Sequence, residues 1–188
     1  GYTVGVDFDG NPCLYGTFQG TVDFDPDTGE FQLSSVVAPD GFLCKLSSAG
    51  GFLWAGVLGG LGGAIGQEIA IDTQSNIYVA GVFGSTVDFD PGPGLHEVTD
   101  AGNGDAFIGK FGPNGAFQWV WTAGGTGLDG GSGIAVDGTG GVYATGRFEH
   151  SVDFDPGPGA QDLTSVGITD IFVVHLNGDG QLIWAQSL

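Results

Sequence analysis

The stretch Val-Asp-Phe-Asp-Pro occurs three times in the chain, at residues 22–26, 87–91 and 152–156. The first aspartate of each copy lies 65 residues from the next one. The same step relates three further sets of residues: Asp7, Asp72 and Asp137; Asp40, Asp105 and Asp170; and Trp54, Trp119 and Trp184. A fixed period over the whole chain indicates one supersecondary unit repeated in tandem. The 188 residues therefore hold three repeats, the first of which lacks about seven residues at its front.

The composition favours short strands joined by tight turns. The chain contains 39 glycines, and 41% of its residues are hydrophobic. Glycine in a helix interior costs about 1 kcal/mol relative to alanine, so a helical protein would not carry so many. The apolar content is nevertheless sufficient for a folded core.

Repeat three shows the strand pattern most clearly. Apolar segments at 133–137, 142–148, 170–176 and 181–188 are separated by turns rich in glycine and asparagine. The alternation continues through 151–155, which predicts that the second strand runs on to Asp155. Four antiparallel strands per unit are typical of a β-propeller blade, whereas about 65 residues is long for one coil of a solenoid.

These patterns predict an all-β fold of β-propeller type with three four-stranded antiparallel blades. The predicted boundaries are 1–60 for blade 1, 61–125 for blade 2 and 126–188 for blade 3. Propeller rings usually contain four to eight blades, so three blades leave the ring incomplete. An open array exposes apolar faces at both ends, which predicts self-association or binding to other protein subunits.

The charge of the chain excludes several kinds of partner. It has 22 acidic and three basic residues, giving a net charge of −19. Nucleic acids and anionic membranes are bound through basic patches, so neither is expected as a partner. The sequence contains no stretch typical of a transmembrane helix or a signal peptide.

The repeated aspartate pairs have two interpretations. In each Asp-Phe-Asp copy the two carboxylates lie on one face of a strand, about 7 Å apart. Hard cations take several oxygen ligands, so the pairs are candidate calcium sites. Aspartate before Pro or Gly is also a common turn opener, because its side chain accepts a backbone N–H. The residues concerned are Asp23, Asp25, Asp88, Asp90, Asp153 and Asp155.

The two cysteines both lie in the first repeat. Cys13 and Cys44 occupy unrelated positions that hold other residues in the second and third repeats. Two such changes in one copy suggest a disulfide between neighbouring strands, with two buried free thiols as the alternative. A disulfide would imply an oxidising compartment outside the cytoplasm.

Two segments carry a resemblance to a known family. Ile134-Ala-Val-Asp137 with Gly141-Val-Tyr-Ala-Thr-Gly146 resembles the first half of the bacterial β-propeller repeat of the SBBP type. The segment from Asp105 to Trp119 resembles its second half. The resemblance extends over all three repeats and implies the propeller fold and an extracellular or cell-surface location. It carries no catalytic residues to transfer.

Catalytic patterns are weak in this sequence. The three histidines occupy different repeat positions, and no nucleophile, zinc or phosphate-binding motif accompanies them. Residues 125–130 match a dinucleotide fingerprint only as a string, since a strand rather than a helix is expected to follow. We therefore expect that the protein is not an enzyme.

The sequence thus predicts a non-catalytic extracellular structural or interaction protein, such as a scaffold, adhesin, fibre or envelope-complex subunit. The alternative is a propeller that binds glycans or another small ligand. Trp121 has no tryptophan counterpart in the other repeats, and the sequence leaves open whether it is an exposed contact or a filler of the core.

Overall fold

The computed structural model describes residues 3–37 and 39–188. In this part of the chain every regular secondary-structure element is a β-strand. The first repeat forms β1 (Thr3–Val6), β2 (Pro12–Phe18), β3 (Thr21–Asp23), β4 (Gln32–Ser34), β5 (Asp40–Leu46) and β6 (Phe52–Gly60). The second forms β7 (Ala64–Ile71), β8 (Ile77–Phe83), β9 (Thr86–Asp88), β10 (Glu97–Thr99), β11 (Asp105–Phe111) and β12 (Phe117–Ala123). The third forms β13 (Gly130–Val136), β14 (Val142–Phe148), β15 (Ser151–Asp153), β16 (Asp162–Thr164), β17 (Asp170–Leu176) and β18 (Leu182–Ser187).

Each repeat contributes one four-stranded antiparallel sheet, which we call a blade. The strand orders are β1-β2-β5-β6 in blade 1, β7-β8-β11-β12 in blade 2 and β13-β14-β17-β18 in blade 3. Short turns join the first strand of a blade to the second and the third to the fourth, whereas two further short strands lie between the second and the third. The all-β, propeller-like class predicted from the repeat is confirmed, and the described sheets do not close into a barrel.

The Val-Asp-Phe-Asp stretch corrects one detail of the prediction. It does not extend the second strand of the blade but forms its own hairpin, made by β3 and β4, by β9 and β10, and by β15 and β16. The chain turns between blade and hairpin at Gly20, Ser85 and His150, whose φ angles are 79°, 57° and 63°. A left-handed residue interrupts the extended backbone, so a continuous strand to Asp155 was wrong.

The hairpin of one repeat packs on the fourth strand of the preceding blade. In the second repeat, Asp88 and Val87 pair with Gly59 and Gly60 of β6, which joins the hairpin to the sheet of blade 1. In the third repeat, the indole N–H of Trp121 on β12 donates to the Phe154 carbonyl at 3.3 Å. The hairpins therefore connect neighbouring blades.

The hydrophobic core lies between the blades in two clusters. One cluster joins blade 1 to blade 2 and the other joins blade 2 to blade 3. Phenylalanines at two repeat positions, Phe83 with Phe148 and Phe107 with Phe172, are all at most 1% exposed. Burial of rings of this size contributes about 2–3 kcal/mol each, so contact between blades is a main source of stability.

Candidate functional site

The candidate site is the polar contact that recurs where two blades meet, which we call the junction. Its first half is the turn between the third and fourth strands of a blade, at 47–51, 112–116 and 177–181; we call these the outer turns. In the second outer turn, Gly112 N–H donates to the Ala116 carbonyl at 2.7 Å and Gly115 N–H to the Gly112 carbonyl at 2.9 Å. The same two bonds recur in the other outer turns, so all three have one conformation.

A tryptophan of the preceding blade covers each of the last two outer turns. The indole N–H of Trp54 donates to the Pro113 carbonyl at 3.2 Å, and that of Trp119 donates to the Gly178 carbonyl at 3.0 Å. Each ring lies against the glycine of the turn. A Cβ atom added at Gly115 would stand 2.9 Å from the Trp54 ring, and φ at this glycine is 82°. Space and backbone conformation thus both require glycine there.

A lysine donates to the same carbonyl as the tryptophan. Lys45 Nζ lies 3.0 Å from the Pro113 carbonyl oxygen and 2.7 Å from Asp7 Oδ2 in its own blade. Lys110 Nζ lies 3.1 Å from the Gly178 carbonyl oxygen and 5.2 Å from the centre of the Tyr78 ring. Hydrogen bonds from a charged donor are stronger than those between neutral groups. Two of the three basic residues of this acidic chain are thus used at the junctions.

The aspartates at the first turn of each blade hold that turn together. Asp7, Asp72 and Asp137 each accept two backbone N–H groups, from the residues two and four positions further on. Burial raises the pKa of Asp7, but hydrogen bonds from Lys45 and Asn11 outweigh it and bring the pKa to about 2. Asp72 shows the same balance, with a lowered pKa. These carboxylates stay ionised and hold the turn in place.

The Asp-Phe-Asp pairs also make turn contacts, inside the hairpins. Asp88 Oδ1 accepts the N–H groups of Asp90 and His96, and Asp90 Oδ1 accepts the N–H of Gly92. Equivalent bonds are made by the other two pairs, Asp23 with Asp25 and Asp153 with Asp155. Within 3–37 and 39–188, no group of three or more histidine, cysteine or acidic side chains converges as a metal site. The contacts match the turn interpretation, and calcium binding stays a prediction.

The calcium prediction has a direct test on the purified chain. If the pairs bind calcium, a chelator should lower the melting temperature and added calcium should restore it, because a ligand that binds only the folded state stabilises it. Magnesium at the same concentration serves as the control for ionic strength. An identical melting temperature with chelator and with calcium would eliminate the calcium sites.

The aspartate that begins the third strand is buried in blades 1 and 2. Asp40 and Asp105 are 0% and 5% exposed, and each accepts one backbone N–H through Oδ2, from Val36 and Ala101. The other oxygen, Oδ1, has no hydrogen-bond partner in either residue among the described part of the chain. Burial, with Asp100 and Asp129 nearby, raises the pKa of Asp105 to about 6. The repeat identified these positions, but nothing in the sequence indicated their burial.

The predicted disulfide between Cys13 and Cys44 is wrong in this structure, where both are buried free thiols. In the register of β2 with β5, Cys13 lies opposite Lys45 and Cys44 lies opposite Leu14. Directly opposed residues share a face and successive residues alternate, so the two sulfurs point to opposite faces of the sheet. Burial raises the pKa of each thiol to about 11.

These thiols are expected to be inert in the folded protein. A thiol-specific reagent should label both cysteines only after unfolding, because the thiolate is the reactive form. The melting temperature should be the same with and without a reductant. A lower melting temperature in reductant, or the absence of free thiols in denaturant, would restore the disulfide.

Trp121 is a buried core residue. It is 1% exposed, and its ring lies 6.3 Å from that of Phe154 in the hairpin of the third repeat. It therefore cannot serve as an exposed platform for a sugar ring. His175 stands where the other repeats have lysine and stacks on Tyr143, with ring centres 4.2 Å apart.

The comparisons with known proteins agree with the repeat architecture. No family model matches the chain. An uncharacterized WD repeat-containing protein of Acanthamoeba polyphaga mimivirus is 30% identical over 120 residues, which is 56% of this chain. The chain spans only 9% of the length of that relative. WD repeats build propeller blades of four strands, so the sequence similarity and the observed blades together indicate a β-propeller-like repeat protein.

Among the described residues, none forms a helix of the length and apolar character needed to cross a bilayer.

Proposed function

We propose that the protein is a non-catalytic structural and interaction scaffold that acts outside the cell as part of a larger assembly. The observation that carries this proposal is the use of the repeated side chains. Tryptophan and the turn glycine recur in all three repeats and lysine in the first two, and at both junctions they attach one blade to the next. WD-type propellers serve mainly as platforms for other proteins, which fits the same role.

The extracellular location and the bacterial SBBP-type family belong to this proposal. They are supported by the resemblance of 134–146 and 105–119 to repeats of secreted and surface proteins, and by the acidic composition. The cysteines give no support, since they are free thiols.

A second candidate function is binding of a glycan or another small ligand. A crevice of about 290 Å³ lies between Trp54, Pro91, Pro93 and Asn114, where an aromatic ring and a polar amide meet. Such a mixture of aromatic and polar groups suits a sugar. The similar crevice of the next junction is lined by Pro156, Pro158 and Gln181, without a tryptophan.

Antibody labelling of intact source cells tests the location. The proposal predicts labelling without permeabilisation, together with cross-links from the chain to other proteins of the cell surface. Labelling only after permeabilisation would contradict the extracellular role.

A glycan array separates the two functions. The scaffold proposal predicts no sugar-specific signal, whereas the alternative predicts a signal that is lost in Trp54→Phe. This variant keeps an aromatic ring against Gly115 while removing the indole N–H donor, so it is the mildest change available at that position.

A further inference from the structure

Each blade has two faces, and each face contributes a different half of the contact between blades. The trailing face points to the following blade and includes Tyr78, Ile108 and Trp121 in blade 2, all at most 1% exposed. The leading face points to the preceding blade and includes Phe172 and Val174 in blade 3, also at most 1% exposed. Every internal contact therefore joins a trailing face to a leading face.

The trailing face of blade 3 has no blade against it. Tyr143, which corresponds to the fully buried Tyr78, is 37% exposed. Leu188, which corresponds to Ala123 at 4%, is 78% exposed. Trp184 occupies the position of Trp54 and Trp119 but is 37% exposed, and its indole N–H has no partner in the described residues.

The leading face of blade 1 is open in the same way. Val22 in the first hairpin is 36% exposed, whereas its counterparts Val87 and Val152 are 0% and 1% exposed. The outer turn of blade 1 is also uncovered, unlike the outer turns of blades 2 and 3. A Cβ atom at Gly50 would meet nothing within 4 Å, although Gly115 and Gly180 at the same position are covered by tryptophan rings.

The two open faces are complementary because they are the two halves of one repeated contact. The outer turn at 47–51 already has the conformation of the two occupied turns, with φ of 90° at Gly50. The Ser48 carbonyl corresponds to the Pro113 and Gly178 carbonyls that accept the indole and lysine donors. Trp184 supplies the missing indole, and His175 supplies an imidazole where the internal junctions have an ammonium group.

We propose that the trailing face of blade 3 binds the leading face of blade 1 in a second copy of this chain. This proposal rests on the scaffold function and names its partner. Trp184 packs on Gly50 of the second copy and donates to its Ser48 carbonyl. The first hairpin of that copy then lies along β18, as the second hairpin lies along β6.

The native mass of the purified chain, measured by light scattering over a range of concentrations, tests the proposal. The expected result is a mass well above the 19.0 kDa of one chain, falling to 19.0 kDa on dilution. Trp184→Ala on the trailing face and Val22→Asp on the leading face should each give the monomer. Leu95→Asp changes a residue that is 73% exposed at the tip of the second hairpin, and it should leave the mass unchanged.

Mixing the two end variants gives an outcome that misfolding cannot produce. Trp184→Ala keeps an intact leading face and Val22→Asp keeps an intact trailing face. An equimolar mixture therefore allows one wild-type junction between two chains and should reach twice the chain mass at high concentration, although neither variant does so alone. Unfolded variants would give no recovery.

Two results would overturn the proposal. One is a mass of 19.0 kDa at all concentrations, and the other is an assembly whose mass neither change reduces. Surface labelling of cells with cross-links to other proteins, combined with a strict monomer, would remove the self-docking and leave the scaffold function standing.

Discussion

Replacing Phe154 with alanine is expected to lower the free energy of unfolding by about 3–5 kcal/mol. Phe154 is the phenylalanine of the third Asp-Phe-Asp copy and is 1% exposed. Its ring lies 5.4 Å from that of Phe148, 5.1 Å from that of Phe172 and 6.3 Å from that of Trp121. The substitution leaves a cavity between blade 2, blade 3 and the hairpin, and these elements cannot all move together to fill it.

The repeat supplies a matched control for this variant. Phe24 occupies the same position in the first hairpin, where no preceding blade covers it and its side chain is only partly buried. At low protein concentration, Phe24→Ala should cost clearly less than Phe154→Ala, and Leu95→Ala should cost almost nothing. Chemical denaturation of the three variants measures the difference. Equal losses for Phe24→Ala and Phe154→Ala would contradict the packing described for the hairpins.

Lowering the pH from 7 to 5 is expected to stabilise the fold through Asp105. Its pKa is about 6 in the folded chain and near 3.8 in the unfolded chain. The folded state therefore binds a proton more readily, and stability rises as the pH falls through this window. The gain between pH 7 and pH 5 is on the order of 1 kcal/mol, because the folded carboxyl binds its proton over about one pH unit below its pKa and one unit corresponds to about 1.4 kcal/mol.

Asp105→Asn isolates this contribution. The variant should be more stable than the wild type at pH 7 and should lose most of the rise between pH 7 and pH 5. Asp170→Asn is the control, since Asp170 has the same repeat position and is partly exposed. An unchanged pH dependence in Asp105→Asn would contradict the assignment.

At lower pH the opposite behaviour is expected from other carboxylates. Asp7, with a pKa of about 2, and Asp72, with a lowered pKa, are stabilising when ionised. Their contribution is lost as the pH falls below about 4. The stability of the wild type should therefore pass through a maximum between these two ranges.

The architecture could be predicted from the repeat, but the hydrogen bonds between the blades could not. Positions such as Trp54 and Trp119 follow directly from the 65-residue step, and so does their common role. The hydrogen-bond acceptors do not follow from it. The Trp54 indole donates to a carbonyl 59 residues away in the sequence, and the Lys45 ammonium group donates to the same carbonyl, 68 residues away. Contacts this distant in sequence depend on how the blades are placed in space.

Two errors have physical causes that the sequence did not reveal. The break between blade and hairpin depends on a left-handed residue, and Ser85 and His150 are not residue types that mark such a turn. Their alignment with Gly20 was the available signal. The disulfide prediction was wrong because the strand register, and not the proximity of the strands, decides which face of the sheet a cysteine occupies.

The most direct test of the account is hydrogen exchange of the three hairpins, at 20–35, 85–100 and 150–165, in dilute and in concentrated protein. The second and third hairpins lie against the blade before them, whereas the first hairpin has no blade against it within one chain. In dilute protein the first hairpin is therefore expected to exchange faster than the other two, and in concentrated protein, where a second copy docks on it, to become as protected as they are. Equal protection of all three hairpins in dilute protein, or a first hairpin that stays unprotected at high concentration, would contradict this packing.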